Sequence, residues 1–399
     1  MSLPSVENAR ATMLSAIVPL TAEAVPLAEA DGSWLAEPVT AGRDQPPFDA
    51  SAMDGWAVRS VDVRLGARLQ IVGESAAGHD AGVTVQSGQA ARIFTGAALP
   101  PGTDRVVIQE EAKRRNETVV LAAAPDGPAW VRPQGCDFRA GAILLEPGTR
   151  LNPWRLALAA SAGRATVTCR RRPVVAILST GDELVAPGEP AGPHQIYDAC
   201  GPALAAFVRR SGGTPTLLGR ARDNDASILA AVDAGVFDLL VTVGGASVGD
   251  HDRVKPVIRS AGGVLSVEGV AMRPGKPVWF AHLADGRPLL GLPGNPASAL
   301  VCAELFLAPL IAALQGGTAA PDTGLAVLDG PLSANGPREH YMRAIVDNGP
   351  DGVRRVRPMS EQDSSLVTVM AAANALVRRL PGAPALEAGA RVEVLVPKR

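Results

Sequence analysis

Aromatic residues make up only 4% of the 399 residues, so the core cannot rest on aromatic clusters and must be built from aliphatic and small side chains. Cysteine is scarce as well. Cys136, Cys169, Cys200 and Cys302 stand far apart with no C-x-x-C, which excludes an obvious zinc ribbon or disulfide framework and fits a reducing cytoplasm. Neither sign of charge is in excess: 38 Lys and Arg against 40 Asp and Glu leave a net charge of −2. That argues against a whole-protein role on nucleic acid or an anionic membrane, while permitting a local basic pocket. The opening MSLPSVENARATML holds no signal-type apolar stretch, and no run of 18 apolar residues is free of charge. The most apolar run, 297 to 314, carries Glu304 and Pro309 and reads as a buried helix. Gly and Pro, by contrast, are plentiful at 42 and 34 residues, so function is expected in turns and tight loops.

The chain is longer than the roughly 250 to 300 residues at which one hydrophobic core stops growing, so several domains are expected. The pattern predicts a multidomain α/β protein. A short entry helix is expected within 5–20 from the spacing of Ala9, Met13, Ile17 and Leu20. Residues 1–42 and 139–172 form a linker region, with a helix over 152–163 capped by Asn152, opened by Pro153 and ended at Gly163. Residues 43–138 are a β-rich module of short runs such as LQIVG, RVVIQ and TVVLAA. From 173 to 316 apolar strands alternate with helices, which signals a central parallel or mixed α/β domain. Its strands are expected at 174–178, 215–219, 237–243, 264–268, 277–281 and 288–292, the last two as a hairpin turning at Asp285-Gly286. Its helices are expected near 200–211, 224–234, 252–261 and 297–314. Residues 322–399 read as a small β-barrel or sandwich.

In an open α/β sheet, ligands bind beyond the carboxyl ends of the strands, so the loops there carry the functional expectation. After VVAILS comes Thr180-Gly181-Asp182-Glu183, whose carboxylates suit a divalent cation bridging to phosphate, or a capped surface turn. After FDLLVTV comes Gly244-Gly245-Ala246-Ser247-Val248-Gly249, able to turn backbone N–H groups toward phosphate or a flat ring. It ends in no Gly-Lys-Ser/Thr and does not have the G-x-G-x-x-G spacing, which excludes nucleotide-motor and dinucleotide motifs. Asp250, His251 and Asp252 follow it as metal ligands or as acids complementing a helix start. After PLLGL, Pro293-Gly294-Asn295-Pro296 fixes the start of the long helix. Upstream, Arg273-Pro274-Gly275-Lys276-Pro277 holds two cations in a stiff loop suited to an oxyanion.

These loops sit within six motifs in order: PPFDASAMDGWAV at 46–58, TGDELV at 180–185, QIYDAC at 195–200, GGASVGDHD at 244–252, MRPGKP at 272–277 and GLPGNPASA at 291–299. Together they resemble the molybdopterin molybdenumtransferase (MoeA) family, and with it the C-terminal part of gephyrin, over nearly the whole chain. The resemblance implies a central molybdopterin-binding domain and a cytoplasmic homodimer, with 1–42 and 139–172 taking part in dimerisation. Each active site would then lie between the central domain of one subunit and the β module of the other. The implied reaction inserts molybdate into adenylylated molybdopterin, releases AMP and needs Mg²⁺. Molybdopterin adenylyltransferase and molybdoenzyme acceptors are the implied partners, with no nucleic acid and no membrane.

By motif position, Asp54, Thr95 and Asp137 face the site from the β module, and Glu183, Asp223 and Asp252 are its catalytic acids and the expected Mg²⁺ ligands. The resemblance also places Gly244, Gly245, Ser247 and Gly249 at molybdopterin. Arg273, Lys276, Pro293, Gly294, Asn295 and Pro296 lie nearby, and Arg343 and Ser364 join them from the C-terminal domain. Three positions depart from the family. Arg273 stands where Lys is common, Ala199-Cys200 replaces a Ser/Thr-Asn pair, and Asp363 adds a negative charge in a Gln-Gly-Ser motif. Cys200 reads better as a small buried hydrophobe than as a ligand. Competing readings are a molybdopterin adenylylating enzyme, a non-catalytic scaffold and a nicotinamide-nucleotide amidase. The MDGWAV module and C-terminal β domain weigh against the first, the presence of Asp54 and Glu183 against the second, and the lack of a recognisable amidase module against the third.

Overall fold

The structure, a computed structural model, describes residues 3–79, 81–122, 126–245 and 253–397. Its centre is a six-stranded sheet of β1 (Val174–Thr180), β2 (Thr214–Ala221), β3 (Leu239–Val243), β4 (Val264–Val267), β5 (Trp279–His282) and β6 (Pro288–Leu292), in the order β2-β1-β3-β6-β5-β4. The first four strands in that order are parallel. β5 and β6 form the expected antiparallel hairpin, with Gly286 at φ +86 in its turn, and β4 closes the edge. Helices α1 (Cys200–Arg210), α2 (Asp225–Asp233), α3 (Val254–Ser260) and α4 (Pro296–Leu314) accompany the sheet.

Each face of the sheet buries an aliphatic layer. Val175, Ile177, Val241 and Leu290 share a core with α1 and α4, while Ala176, Leu178, Leu240 and Leu289 share one with α2 and α3. This is why the parallel strands read as continuous apolar runs rather than alternating ones. α4 is long and apolar enough to cross a membrane by composition, yet 78% of it is buried inside the protein, which makes it a core helix. A π turn over Ala303–Leu307 interrupts it just before Pro309, where the missing proline N–H breaks the regular ladder.

The entry helix spans Val6–Ser15, capped by Ser5, whose hydroxyl accepts from Asn8 N. It is shorter than the apolar spacing suggests because the Val18-Pro19 step disfavours further helix. Val6, Ala9 and Met13 bury themselves in the α1 and α4 core, so this helix packs on the central domain. The linker region pairs Ala22–Pro26 with Thr166–Arg170, and its helix Pro153–Ser161 is capped by Asn152. Arg171 ties this region to the central sheet through a two-pronged ion pair with Asp238, whose carboxylate also accepts from Val174 N at 2.8 Å.

The β module is a six-stranded sheet running from Arg105–Ile108 at one edge to Ala112–Arg115 at the other. In the C-terminal region, Thr323–Leu328, Glu339–Asn348, Arg354–Pro358, Ala375–Arg379 and Arg391–Leu395 close into a five-stranded barrel, because Glu339–Asn348 pairs on one side with Arg354–Pro358 and on the other with Ala375–Arg379. A two-residue strand from the central domain, Met272–Arg273, adds to it: Met272 pairs with Glu339 and Arg273 with His340.

Candidate active site

Four parallel strands end side by side, and the loops that leave them meet in one cleft of 1120 Å³. Such a volume suits a substrate larger than a typical drug-sized ligand. The cleft gathers Glu183 after β1, Asp223 after β2, Gly244 and Gly245 after β3, and Pro293 to Pro296 after β6. Arg273, Lys276 and Ser364 line it as well. A separate cavity of 70 Å³, among Trp34, Phe207, Glu304 and Leu376, is far smaller and receives none of the strand-end loops.

Local backbone chemistry shapes these loops. Gly244 has φ +93, and a methyl group there would lie 2.4 Å from the Thr180 carbonyl oxygen. Only glycine lets the loop cross the end of β1 so closely. Glu183 is exposed and folds back toward Gly181, where an added methyl would stand 2.5 Å from Oε2. The Asp223 N–H donates to Asp182 Oδ1 at 3.4 Å, a long bond that joins the first two strand-end loops. Asp182 is thus a loop brace, and among the described residues Glu183 and Asp223 are the carboxylates of the pair of loops with no side-chain hydrogen bond or ion pair.

Lys276 and Arg273 are exposed at the cleft, while the backbone between them is buried against α4. The Cys302 thiol lies 3.8 Å from the Gly275 carbonyl, and the Cys200 thiol lies 3.7 Å from the Gly294 carbonyl. Burial pushes the Cys200 thiol up to about 12, so it stays protonated and packs as a small hydrophobe. Asn295 Nδ2 donates to Ser364 Oγ at 2.8 Å, and the Ala297 N–H in the first turn of α4 donates to the Ser364 carbonyl at 3.1 Å. Ser364 therefore stitches the barrel to the Pro293–Pro296 loop.

Arg343 is fully buried beneath this stitch, with Nη2 donating to the Asp363 carbonyl at 3.1 Å. Arg343 therefore does not line the cleft itself; it touches Asp363, which does. Asp363 lines the cleft and accepts from Ser365 N and Oγ, which with Arg343 holds its carboxyl below the usual carboxylate range. A fixed negative charge thus sits among the cations.

Asp54, Thr95 and Asp137 do not line this cleft; they lie on the β module. The Thr95 N–H and hydroxyl donate to Asp54 Oδ1 at 2.7 and 2.8 Å, lowering the carboxyl pKa. Asp54 is exposed enough to meet a ligand, as are Thr95 and Asp137, and Phe48 and Met53 are exposed on nearby segments. Ser247, Gly249 and Asp252 fall outside the described residues.

Two cleft residues have no assigned role among the sequence expectations, although the first lies within the QIYDAC motif. Asp198 Oδ1 accepts from Cys200 N and Gly201 N at the start of α1, and Oδ2 accepts from Ser179 Oγ at 2.7 Å. An acid two residues before a helix is a capping signal, but its tie back to β1 is not visible in one dimension. Arg338, which also lines the cleft, enters from the barrel with no motif around it.

Family profiles match the chain in three segments. They are the MoeA N-terminal region (domain I and II) at 4–163, a probable molybdopterin binding domain at 176–313 and the MoeA C-terminal region (domain IV) at 326–396. A molybdopterin molybdenumtransferase of Nostoc sp. is 41% identical over 303 residues, covering 74% of this chain and 70% of that protein. One from Bacillus subtilis is 34% identical over 375 residues, covering 91% and 87%. Among solved structures, a molybdopterin biosynthesis moeA protein from Pyrococcus horikoshii is 31% identical with TM-score 0.80 and covers 100% of both chains.

Proposed function

Because the chain belongs to the molybdopterin molybdenumtransferase family, and so acts in molybdenum cofactor biosynthesis, we propose that its cleft takes adenylylated molybdopterin and molybdate, releases AMP and requires Mg²⁺. One observation carries this reading: two carboxylates from separate strand-end loops, Glu183 and Asp223, share a cleft with two exposed cations, Arg273 and Lys276. Anionic substrate and cationic metal both find complementary groups there.

Hard carboxylate oxygens fit Mg²⁺, which commonly keeps waters and takes one or two carboxylates plus substrate phosphates, so Glu183 and Asp223 would hold it. When bound, it supplies neutralisation of phosphate charge. Arg273 and Lys276 hold the oxyanion, while Gly244 and Gly245 let the backbone approach the pterin phosphate. A carboxylate orients water against the adenylyl phosphorus and takes its proton as the new P–O bond forms; the phosphoanhydride bond breaks, the molybdopterin keeps its own phosphate, and AMP leaves with the water's oxygen. The two dithiolene thiols then bond to molybdenum, and their protons depart with one oxide as water.

The β-module face around Asp54 completes the reading. It is exposed and does not reach the cleft of its own chain, which fits a homodimer in which each copy offers Asp54, Thr95 and Asp137 to the other's cleft. Purified protein given adenylylated molybdopterin, molybdate and Mg²⁺ should release AMP and incorporate molybdenum. Glu183→Ala should lose both by about a hundredfold or more while still binding the substrate. Wild type that binds the substrate but yields neither product would make it a scaffold.

A further inference from the structure

Seven buried side-chain polar atoms among the described residues lack a hydrogen-bond partner, and four of them belong to His340, Arg343 and Arg379. Such atoms are uncommon in folded proteins, and a concentration of them marks a missing partner. His340 and Arg379 face each other across the pair Glu339–Asn348 and Ala375–Arg379. Their side chains continue the inner face of the barrel, two residues beyond Met342 and Val377, whereas Arg343 falls on the opposite face with Tyr341. At this barrel mouth His340 is 7% exposed and Arg379 4%. His340 Nε2 and Arg379 Nε are both unpartnered, although Arg379 Nη2 donates to the carbonyls of Ser333, Ala383 and Pro384. Asn335 pins the same rim by donating to the Arg338, Arg379 and Leu380 carbonyls.

The charges acting on His340 all have one sign. They are Arg273 on the added strand, Arg343 and Arg338 on or beside its own strand, and Arg379 opposite. Two orphaned side-chain nitrogens, His340 Nε2 and Arg379 Nε, thus lie under a positive field, which favours a negative ion. We propose that His340 and Arg379 bind a small inorganic anion, a halide or a tetrahedral oxyanion, at the mouth of the C-terminal barrel, separate from the cleft.

In the ion's absence, burial and the four arginines hold the imidazole down to about 4, so it is neutral at pH 7. A bound anion opposes those arginines, and by linkage must raise the proton affinity of His340. The site therefore reports its own occupancy. The full-length protein with ¹³C-labelled histidine, its His340 signal identified through His340→Gln, should be titrated by NMR with sodium sulfate and sodium chloride at constant ionic strength, balanced with sodium gluconate, whose bulky organic anion is neither a halide nor a tetrahedral oxyanion. A saturable rise of about one pKa unit or more is expected with at least one of the two ions, the responding ion defining the class. Lys276→Ala, which alters the cleft alone, should keep the response, and Arg379→Lys, which keeps the charge but removes Nε, should weaken binding at least tenfold. A His340 signal indifferent to both ions would leave only a buried water there and overturn the proposal. Loss of the response in Lys276→Ala would also overturn it, by placing the ion in the cleft.

Discussion

At Gly291 the indole of Trp279 lies across the neighbouring strand, so close that a methyl group on Gly291 would stand 1.8 Å from Nε1. Relief requires the whole indole to move within a core where Trp279 is fully buried. Gly291→Ala should lower unfolding free energy by about 1–3 kcal/mol, read as a shift of the urea midpoint. His340 makes a pH prediction of the opposite flavour. Its folded pKa is depressed to about 4 against 6.5 unfolded, so below 6.5 the unfolded chain takes a proton that the folded one refuses. Stability is therefore full above pH 6.5 and falls as pH drops toward 4. Between pH 7 and 5 the loss from this group should be about 2 kcal/mol in anion-poor buffer, and His340→Gln should lack that part of the slope in urea unfolding. Residue identity was readable in one dimension where a motif named a loop: Glu183, Lys276 and Asn295 all arrive in the cleft. Side-chain direction was not. Arg343 carries its charge visibly in HYMRAIV, but its strand parity turns it to the outer face of the barrel, where it is buried beneath Asp363, and no local pattern states that.

Among elements, strength of periodicity separates what could be read from what could not. β1, β3 and β6 are unbroken apolar runs with a glycine or proline at the exit, so their positions follow from the sequence almost to the residue. Asn152 with Pro153 likewise announces its helix. The two-residue strand Met272–Arg273 has no room for a period and owes its existence to a partner far along the chain. The edge strand Ala112–Arg115 shows a different logic. Lys113, Arg114 and Arg115 are exposed on it, and charge on an open edge discourages pairing with another molecule. Replacing Lys113 and Arg115 together with isoleucine should produce concentration-dependent self-association in static light scattering, with the far-ultraviolet spectrum unchanged. A variant that stays monodisperse at the wild-type size would remove this role for the charges.

For the whole molecule, the division of the proposed site between two copies has an arithmetic consequence. On that proposal Asp54→Ala and Glu183→Ala chains should each be inactive alone, yet a mixed dimer would hold one intact site beside one doubly altered site. Random re-pairing of equal amounts should restore about a quarter of wild-type activity. No recovery after verified subunit exchange would place both residues in the same chain's site. Low aromatic content gave a correct bound on this scale, since the cores are aliphatic, and balanced charge left room for the local cluster of Arg273, Lys276 and Arg338 in the cleft. The choice between the barrel and the sandwich that the sequence left open, and the docking of the entry helix, were beyond reach, because both depend on contacts between distant segments.

Met272–Arg273 gives the chain a timetable. The ribosome makes this strand well before Glu339 and His340, the residues that it pairs with. A nascent chain can therefore complete the central sheet while the segment carrying Arg273 and Lys276 still lacks its backbone partner. The cation loop is latched only when the barrel is synthesised, so a chain released early would carry the strand-end loops without the clasp that sets them for an anion.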